Sequence, residues 1–262
     1  MNDYIMKFLG TGNAFPYDLN LPPEDQNFQS NAMLIAPSGR KLLIDAGGLI
    51  QNALGFYQMS SADLDSVYIS HPHGDHIGGL EYIAFTTYFN PTLPKPRLIA
   101  NKKLVRELWN NSLSGGLGSI QGQITDLDTF FNVDAVGKNQ TFRWSNIDFQ
   151  PVQVVHYMDG FDIVPSYGLF WEVNDKKYFF TSDTQHCPNQ IKDFYNVADL
   201  IFQDCETAPF PSGVHAHYTE LVTLPDDIKA KMHLYHYHPG EKPDCVTDGF
   251  AGWITRGQEF IL

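Results

Sequence analysis

Cysteine is scarce in this chain. Cys187, Cys205 and Cys245 are odd in number, widely spaced and without a Cys-x-x-Cys pair, which excludes a disulfide framework or a cysteine-rich zinc site and leaves them as reduced, structural thiols. Cations are few as well. Seventeen Lys and Arg stand against 30 Asp and Glu, for a formal net charge of −13. A surface of that sign repels phosphate backbones and the basic pairs that occur are short, so a long RNA or DNA is disfavoured as a partner. A small phosphorylated molecule stays open, because metal ions bound in a pocket would supply positive charge locally. No apolar run approaches the length of a membrane span, and residues 1–7 lack the basic-then-apolar pattern of a secretory leader. The expectation is a cytoplasmic protein with no membrane partner.

Internal repeats and low-complexity tracts are absent too, and 43% hydrophobic with 18% charged residues is ordinary globular usage. At 262 residues the simpler reading is one domain, 1–262. Short apolar, β-branched or aromatic runs at 4–9, 32–36, 41–44, 67–70, 97–100, 147–155, 168–173, 177–181, 200–202 and 232–235 predict strands. Helices are predicted from Gly79 to about Tyr88 and over 102–110, 190–194 and 218–224. Residues 16–30 and 111–123 read as long loops, the second glycine-rich and expected to be either a flap beside the site or disordered.

Several strand-like runs end on an acid or a histidine: Leu42-Leu43-Ile44-Asp45, Val67-Tyr68-Ile69-Ser70-His71, Val154-Val155-His156, Phe179-Phe180-Thr181-Ser182-Asp183, Leu200-Ile201-Phe202-Gln203-Asp204 and Leu234-Tyr235-His236. Residues that emerge where strands leave a sheet can collect along one edge, which is how an α/β scaffold assembles a site from distant positions. The densest segment is Ser70-His71-Pro72-His73-Gly74-Asp75-His76. In a near-extended turn His71 and His73 point the same way and share one ion, while Asp75 and His76 face a second. Imidazole nitrogens and carboxylate oxygens together suit zinc first, with manganese or iron as alternatives, and leave coordination positions open to water. His156, Asp183 and His236 offer the further ligands.

His71-x-His73-x-Asp75-His76, followed by a His, an Asp and a His, resembles the metallo-β-lactamase superfamily. Phe8-Leu9-Gly10-Thr11-Gly12 is similar to the opening strand and turn of its ribonuclease Z-like branch, Leu43-Ile44-Asp45-Ala46-Gly47 to its strand-end aspartate motif, and Thr181-Ser182-Asp183-Thr184 to its bridging-aspartate motif. The resemblance implies an α/β metallo-β-lactamase fold, a four-layer αββα sandwich. It also implies that His71, His73 and His156 hold one metal, that Asp75, His76 and His236 hold the other, and that Asp183 bridges them. Asp45 would orient a ligand by a hydrogen bond. His236 is preferred to His233 and His238 because the apolar pair Leu234-Tyr235 precedes it. Two ions about 3.5–4 Å apart can share a hydroxide that attacks phosphorus or an acyl carbon.

The same branch carries an acidic strand end followed by a histidine-bearing loop that assists phosphodiester cleavage. Asp204 resembles the acidic part, although Gln203 stands where a histidine is usual, and His215 or His217 would protonate a leaving alkoxide. The aspartates Asp75 and Asp183 and this loop favour a phosphodiesterase over a lactone or thioester hydrolase of the same fold. Ribonuclease Z itself fits less well, since no long basic arm for gripping RNA is present. In size and layout the chain resembles the phage anti-Pycsar enzymes and their bacterial relatives, which open cyclic nucleotides. A small phosphodiester such as a cyclic nucleotide is therefore the expected substrate, an RNA-processing nuclease or a lactone/thioester hydrolase the alternative. Relatives of this branch are commonly dimers, which makes a homodimer the expected assembly.

Overall fold

The computed structural model describes residues 3–262; Met1 and Asn2 of the N-terminal reading lie outside them. The strands in chain order are β1 (Ile5–Phe8), β2 (Ala32–Ile35), β3 (Lys41–Ile44), β4 (Ser66–Ile69), β5 (Arg97–Asn101), β6 (Ser119–Ile120), β7 (Gln123–Ile124), β8 (Asn132–Val136), β9 (Phe142–Trp144), β10 (Ile147–Met158), β11 (Ile163–Val173), β12 (Lys176–Phe180), β13 (Leu200–Asp204), β14 (Met232–Tyr235), β15 (Gly252–Trp253) and β16 (Glu259–Ile261). Two seven-stranded sheets result, in the orders β16-β1-β2-β3-β4-β5-β8 and β15-β14-β13-β12-β11-β10-β9, and β6-β7 is a separate hairpin. Each large sheet is antiparallel on one side and parallel on the other, with β3, β4, β5 and β8 parallel in the first and β12, β13, β14 and β15 parallel in the second.

Strand periodicity builds the layers. Alternate residues point to opposite faces, so one strand serves two cores. On β3, Leu42 and Ile44 join the core between the sheets, where they meet Trp144, Phe149, Trp171, Phe180 and Phe202 of the second sheet. Leu43, between them, faces the helices, with Ile50, Leu54, Leu80, Ile83 and Leu104. The second sheet repeats the scheme, with Phe179, Ile201 and Leu234 turned outward against Ile191, Tyr195, Leu221 and Ile228. Helix, sheet, sheet and helix therefore stack as a four-layer α/β sandwich.

Several elements differ from the sequence reading. The 111–123 stretch is not a disordered loop, and Asn111 and Ser112 border the cavity that Pro72 and Tyr157 also line. It continues the helix Lys102–Leu108 through a π-helical turn, Trp109–Leu113, and a short helix, Ser114–Leu117, into the β6-β7 hairpin, and it is anchored by Leu113 and Leu117 in the outer core. Strands β8, β9 and β16 lie at sheet edges and are too short or too mixed in pattern to stand out. Residues 16–30 do remain a largely irregular connection, with a single 3₁₀ turn at Pro23–Asp25. Strand β10 runs past Val155 to Met158, so His156 lies within a strand and not at its end. Among the described residues no helix is long and apolar enough to cross a membrane.

Candidate active site

The parallel strands deliver the acids and histidines to one edge. Three of the chain exits turn sharply: Asp45 after β3, Ser182 after β12 and His236 after β14 all have left-handed backbones, with φ of 62°, 53° and 67°. Non-glycine residues in that region cost energy and persist where surrounding contacts fix them, and such positions concentrate at functional sites. Here the contacts are visible. Asp45 accepts hydrogen bonds from the Ser70 amide and from His76 Nδ1, each at 2.8 Å, and the His236 amide donates to the Thr11 carbonyl at 2.8 Å. Gly47 closes the arrangement, because a Cβ there would stand 2.1 Å from the Asp75 carbonyl oxygen.

His156 reaches the cluster by a different device. Val155 pairs with Pro165 and Tyr157 with Val164, so His156 is an extra residue without a cross-strand partner. A bulge of this kind re-aims a side chain. Its Nδ1 donates to the Val214 carbonyl at 2.8 Å, which leaves the Nε2 lone pair facing His73 Nδ1 at 3.0 Å. His71 Nε2 lies 3.1 Å from that same His73 nitrogen. Three imidazole nitrogens thus converge, and the Asp183 carboxylate stands 3.6 Å from the one on His71. Burial pushes His71 well below the ordinary histidine range and His156 down to about 4, so they meet as neutral lone-pair donors, the form that binds a cation.

A second group shares Asp183. His76 Nε2 is 3.1 Å from Asp183 Oδ2 and 3.3 Å from Asp75 Oδ2, and His236 Nε2 is 3.4 Å from each of the same two oxygens. Burial opposes charge on His76 and His236, but the Asp183 carboxylate, with Asp75, outweighs it and holds both histidines well above their ordinary value. The ligand atoms of His71, His73, His156 and Asp183 lie within 4.8 Å of one another, and so do those of Asp75, His76, Asp183 and His236. Buried Asp183 Oδ1 has no hydrogen-bond partner. Convergent imidazole nitrogens and carboxylate oxygens, one of them orphaned, are the donor set a divalent cation requires, and a cation would take the place of the protons on His76 and His236.

The structure separates the two loop histidines. His215 Nδ1 is 2.9 Å from Asp204 Oδ2 and 3.9 Å from Asp183 Oδ2, and Asp204 is itself held by the Thr184 amide at 2.8 Å while its other oxygen lies 3.3 Å from His236 Nδ1. Burial opposes protonation of His215, but Asp204 prevails and raises its pKa. Asp183, Asp204, His215 and His236 form a third group of the same compactness. His217 is not brought to the cluster: it caps the helix Tyr218–Leu221 in a capping box with Glu220, and its Nε2 bonds the Ala208 carbonyl at 2.8 Å. Both ring nitrogens are committed to the local turn, which corrects the expectation that either histidine could act. Gln203 faces away, accepting the Tyr195 hydroxyl at 2.6 Å. His233 and His238 stay outside all three groups.

Sequence reading missed the supports. Ser70 ties the strand end to Asp45, Thr184 fixes Asp204, the Val214 carbonyl sets the His156 tautomer, and Tyr157 stacks on the His73 ring at 4.9 Å. Ser70 and Thr184 adjoin residues already singled out. Val214 acts through a backbone carbonyl and leaves no side-chain signal.

Sandwich and histidine–aspartate edge together define a metal-dependent hydrolase of the metallo-β-lactamase fold. The crystal structure of the metallo-β-lactamase fold protein YhfI from Bacillus subtilis superposes with a TM-score of 0.75 over 100% of both chains, at 16% identity. The model of the family described as Anti-Pycsar protein Apyc1 matches residues 4–260, and the chain belongs to that family. It is similar to the Anti-Pycsar protein Apyc1 of Bacillus phage vB_BveM-Goe7, 30% identical with 98% of each chain covered. It is also similar to that of Paenibacillus harenae, 33% identical with 88% of this chain and 89% of the relative covered.

Proposed function

We propose that the protein is a dinuclear metal-dependent phosphodiesterase that opens a cyclic nucleotide by hydrolysis. The observation that carries this reading is the doubled donor set around one shared carboxylate, Asp183. His71, His73 and His156 would hold one ion, Asp75, His76 and His236 the other, with Asp183 between them. Zinc is the first candidate, given five histidines among these seven residues. When bound, the ions supply an activated water and neutralise charge on the attacked phosphoryl group.

The remaining work falls to the chain's own residues. Asp45 orients His76 through Nδ1, so that Nε2 faces the carboxylates. Asp204 holds His215 by Nδ1 and favours its protonated form, and a histidine so placed can deliver a proton to the departing ribose oxygen. A histidine used in this way favours an alkoxide leaving group, which a cyclic phosphodiester provides and an activated lactone does not need. Asp204 is assigned this orienting role because its Oδ2 receives His215 and the Thr184 amide, while its Oδ1 lies 3.3 Å from His236 Nδ1.

A parallel hydrolysis screen tests the reading, using cyclic mononucleotides, cyclic dinucleotides, precursor transfer RNA, an acyl lactone and a β-lactam. Turnover of a cyclic mononucleotide, abolished by a chelator, is the expected result. Clear lactone turnover beside an untouched panel of phosphodiesters would reject it. The homodimer belongs to the same proposal. Phe15, Tyr17 and Leu19, close in sequence on one loop, are large apolar side chains left exposed, and exposed apolar patches mark contact surfaces. Mass measured in solution should equal two chains, and a monomer at micromolar concentration would contradict the assembly.

A further inference from the structure

A cationic recess occupies the same edge of the sandwich, farther along the first sheet. Strands β4, β5 and β8 are parallel neighbours, and Asn101 pairs with Val136. Lys102 and Lys138 therefore leave adjacent strand ends, as His71 does from β4. With Lys103 and Arg106 they line a cavity of about 670 Å³ that Tyr167 of β11 also borders. Glu107 is the carboxylate on its wall, 3.7 Å from Lys103. Lys102, Arg106 and Lys138 form no ion pair among the described residues. Uncompensated like charges around one recess repel each other, and in a chain of net charge −13 such a concentration stands out.

A smaller cavity of about 380 Å³ adjoins it, sharing Lys103 and Glu107. Its walls include Pro72, between His71 and His73, and Tyr157, the residue stacked on His73, together with the carboxylates Asp159 and Asp162, so the concentrated positive charge belongs to the larger recess alone. The cationic recess thus lies on the side of the histidine cluster marked by Pro72 and Tyr157, and none of the proposed metal ligands lines it. We propose that this recess binds the phosphate monoester of a nucleotide, with Lys102, Arg106 and Lys138 gripping the phosphate and Tyr167 offering its ring to the base. Charge-assisted contacts to phosphate and an aromatic face for a base are the pairing that nucleotide sites use. The ligand can come from two sources: a free mononucleotide, or the far phosphate of a longer molecule whose other end lies at the cluster. The inference does not depend on the phosphodiesterase reading, since it concerns binding.

NMR titration of the full, metal-loaded chain tests it with adenosine monophosphate and with a linear 5′-phosphorylated diadenylate. Amides of Lys102, Lys103 and Lys138 are followed separately from those of His73 and Tyr157. Saturable shifts of the lysine set, weakening as salt is raised, are expected. Mononucleotide shifts confined to that set identify a free-nucleotide site, and dinucleotide shifts that move Tyr157 in parallel identify a spanning ligand. Lys102→Glu combined with Lys138→Glu should weaken binding by about tenfold or more, as loss of charge-assisted hydrogen bonds implies. Arg106→Gln, at an exposed helix position, is a milder change that should weaken binding in the same direction. Lysine amides that stay still at millimolar nucleotide, or that move equally with chloride at matched ionic strength, would overturn the proposal.

Discussion

Asp183→Ala should lose both bound metal and turnover, the latter by about 10³-fold or more. Its carboxylate oxygen faces His71 at 3.6 Å and His76 at 3.1 Å at once, so its removal takes one ligand from each donor group and leaves cations poorly neutralised among buried histidines. Loss of one preorganised electrostatic contact typically costs 10² to 10³ in rate, and this one serves two ions. Elemental analysis and turnover, measured on the same preparation, check the result. A folded variant with normal metal content and near-normal turnover would remove Asp183 from its shared position. Metal held by these folded-state donors stabilises the folded chain by mass action, so stripping it from the wild type should lower the melting temperature.

Substitution of His215 and His217 should give opposite outcomes although the two stand two residues apart. His215→Ala should slow hydrolysis of cyclic nucleotides by a factor of about 10² to 10⁴, the usual weight of a general acid, while an activated aryl phosphodiester is cleaved at nearly the normal rate. Metal content should be retained. His217→Ala removes a helix cap and its reciprocal Glu220 contact, so it should cost about 1 kcal/mol of stability and leave the preference between the two substrates unchanged. Equal slowing of both substrates by His215→Ala would reject its role in protonating the leaving group. A substrate-dependent defect in His217→Ala would mean that its capping position had been misread.

Much of the site was legible because strand ends carry it. The runs ending at Asp45, His71, Asp183, Asp204 and His236 are short, apolar and parallel, so the chemistry falls where each run stops. His156 could be picked out as a residue but not explained, since a bulge depends on the register of β10 against β11, which local pattern does not encode. The choice between His215 and His217 was likewise tertiary: both sit in one polar loop, and the first turn of the next helix claims the second. The glycine-rich 111–123 stretch reads as mobile by composition, yet Leu113 and Leu117 pin it to the helix layer, which illustrates how tertiary burial overrides local propensity. Strand β9 is only three residues long, so the alternation of Phe142 and Trp144 is too short to register, and the edge strands β8 and β16 carry mixed polar patterns.

Titration of metal-stripped protein with zinc, followed by hydrolysis of a cyclic mononucleotide, tests the central claim most directly. With two donor groups joined by Asp183, activity should rise until about two equivalents per chain and then level off. Full activity at a single equivalent, or activity that survives complete removal of metal, would contradict it.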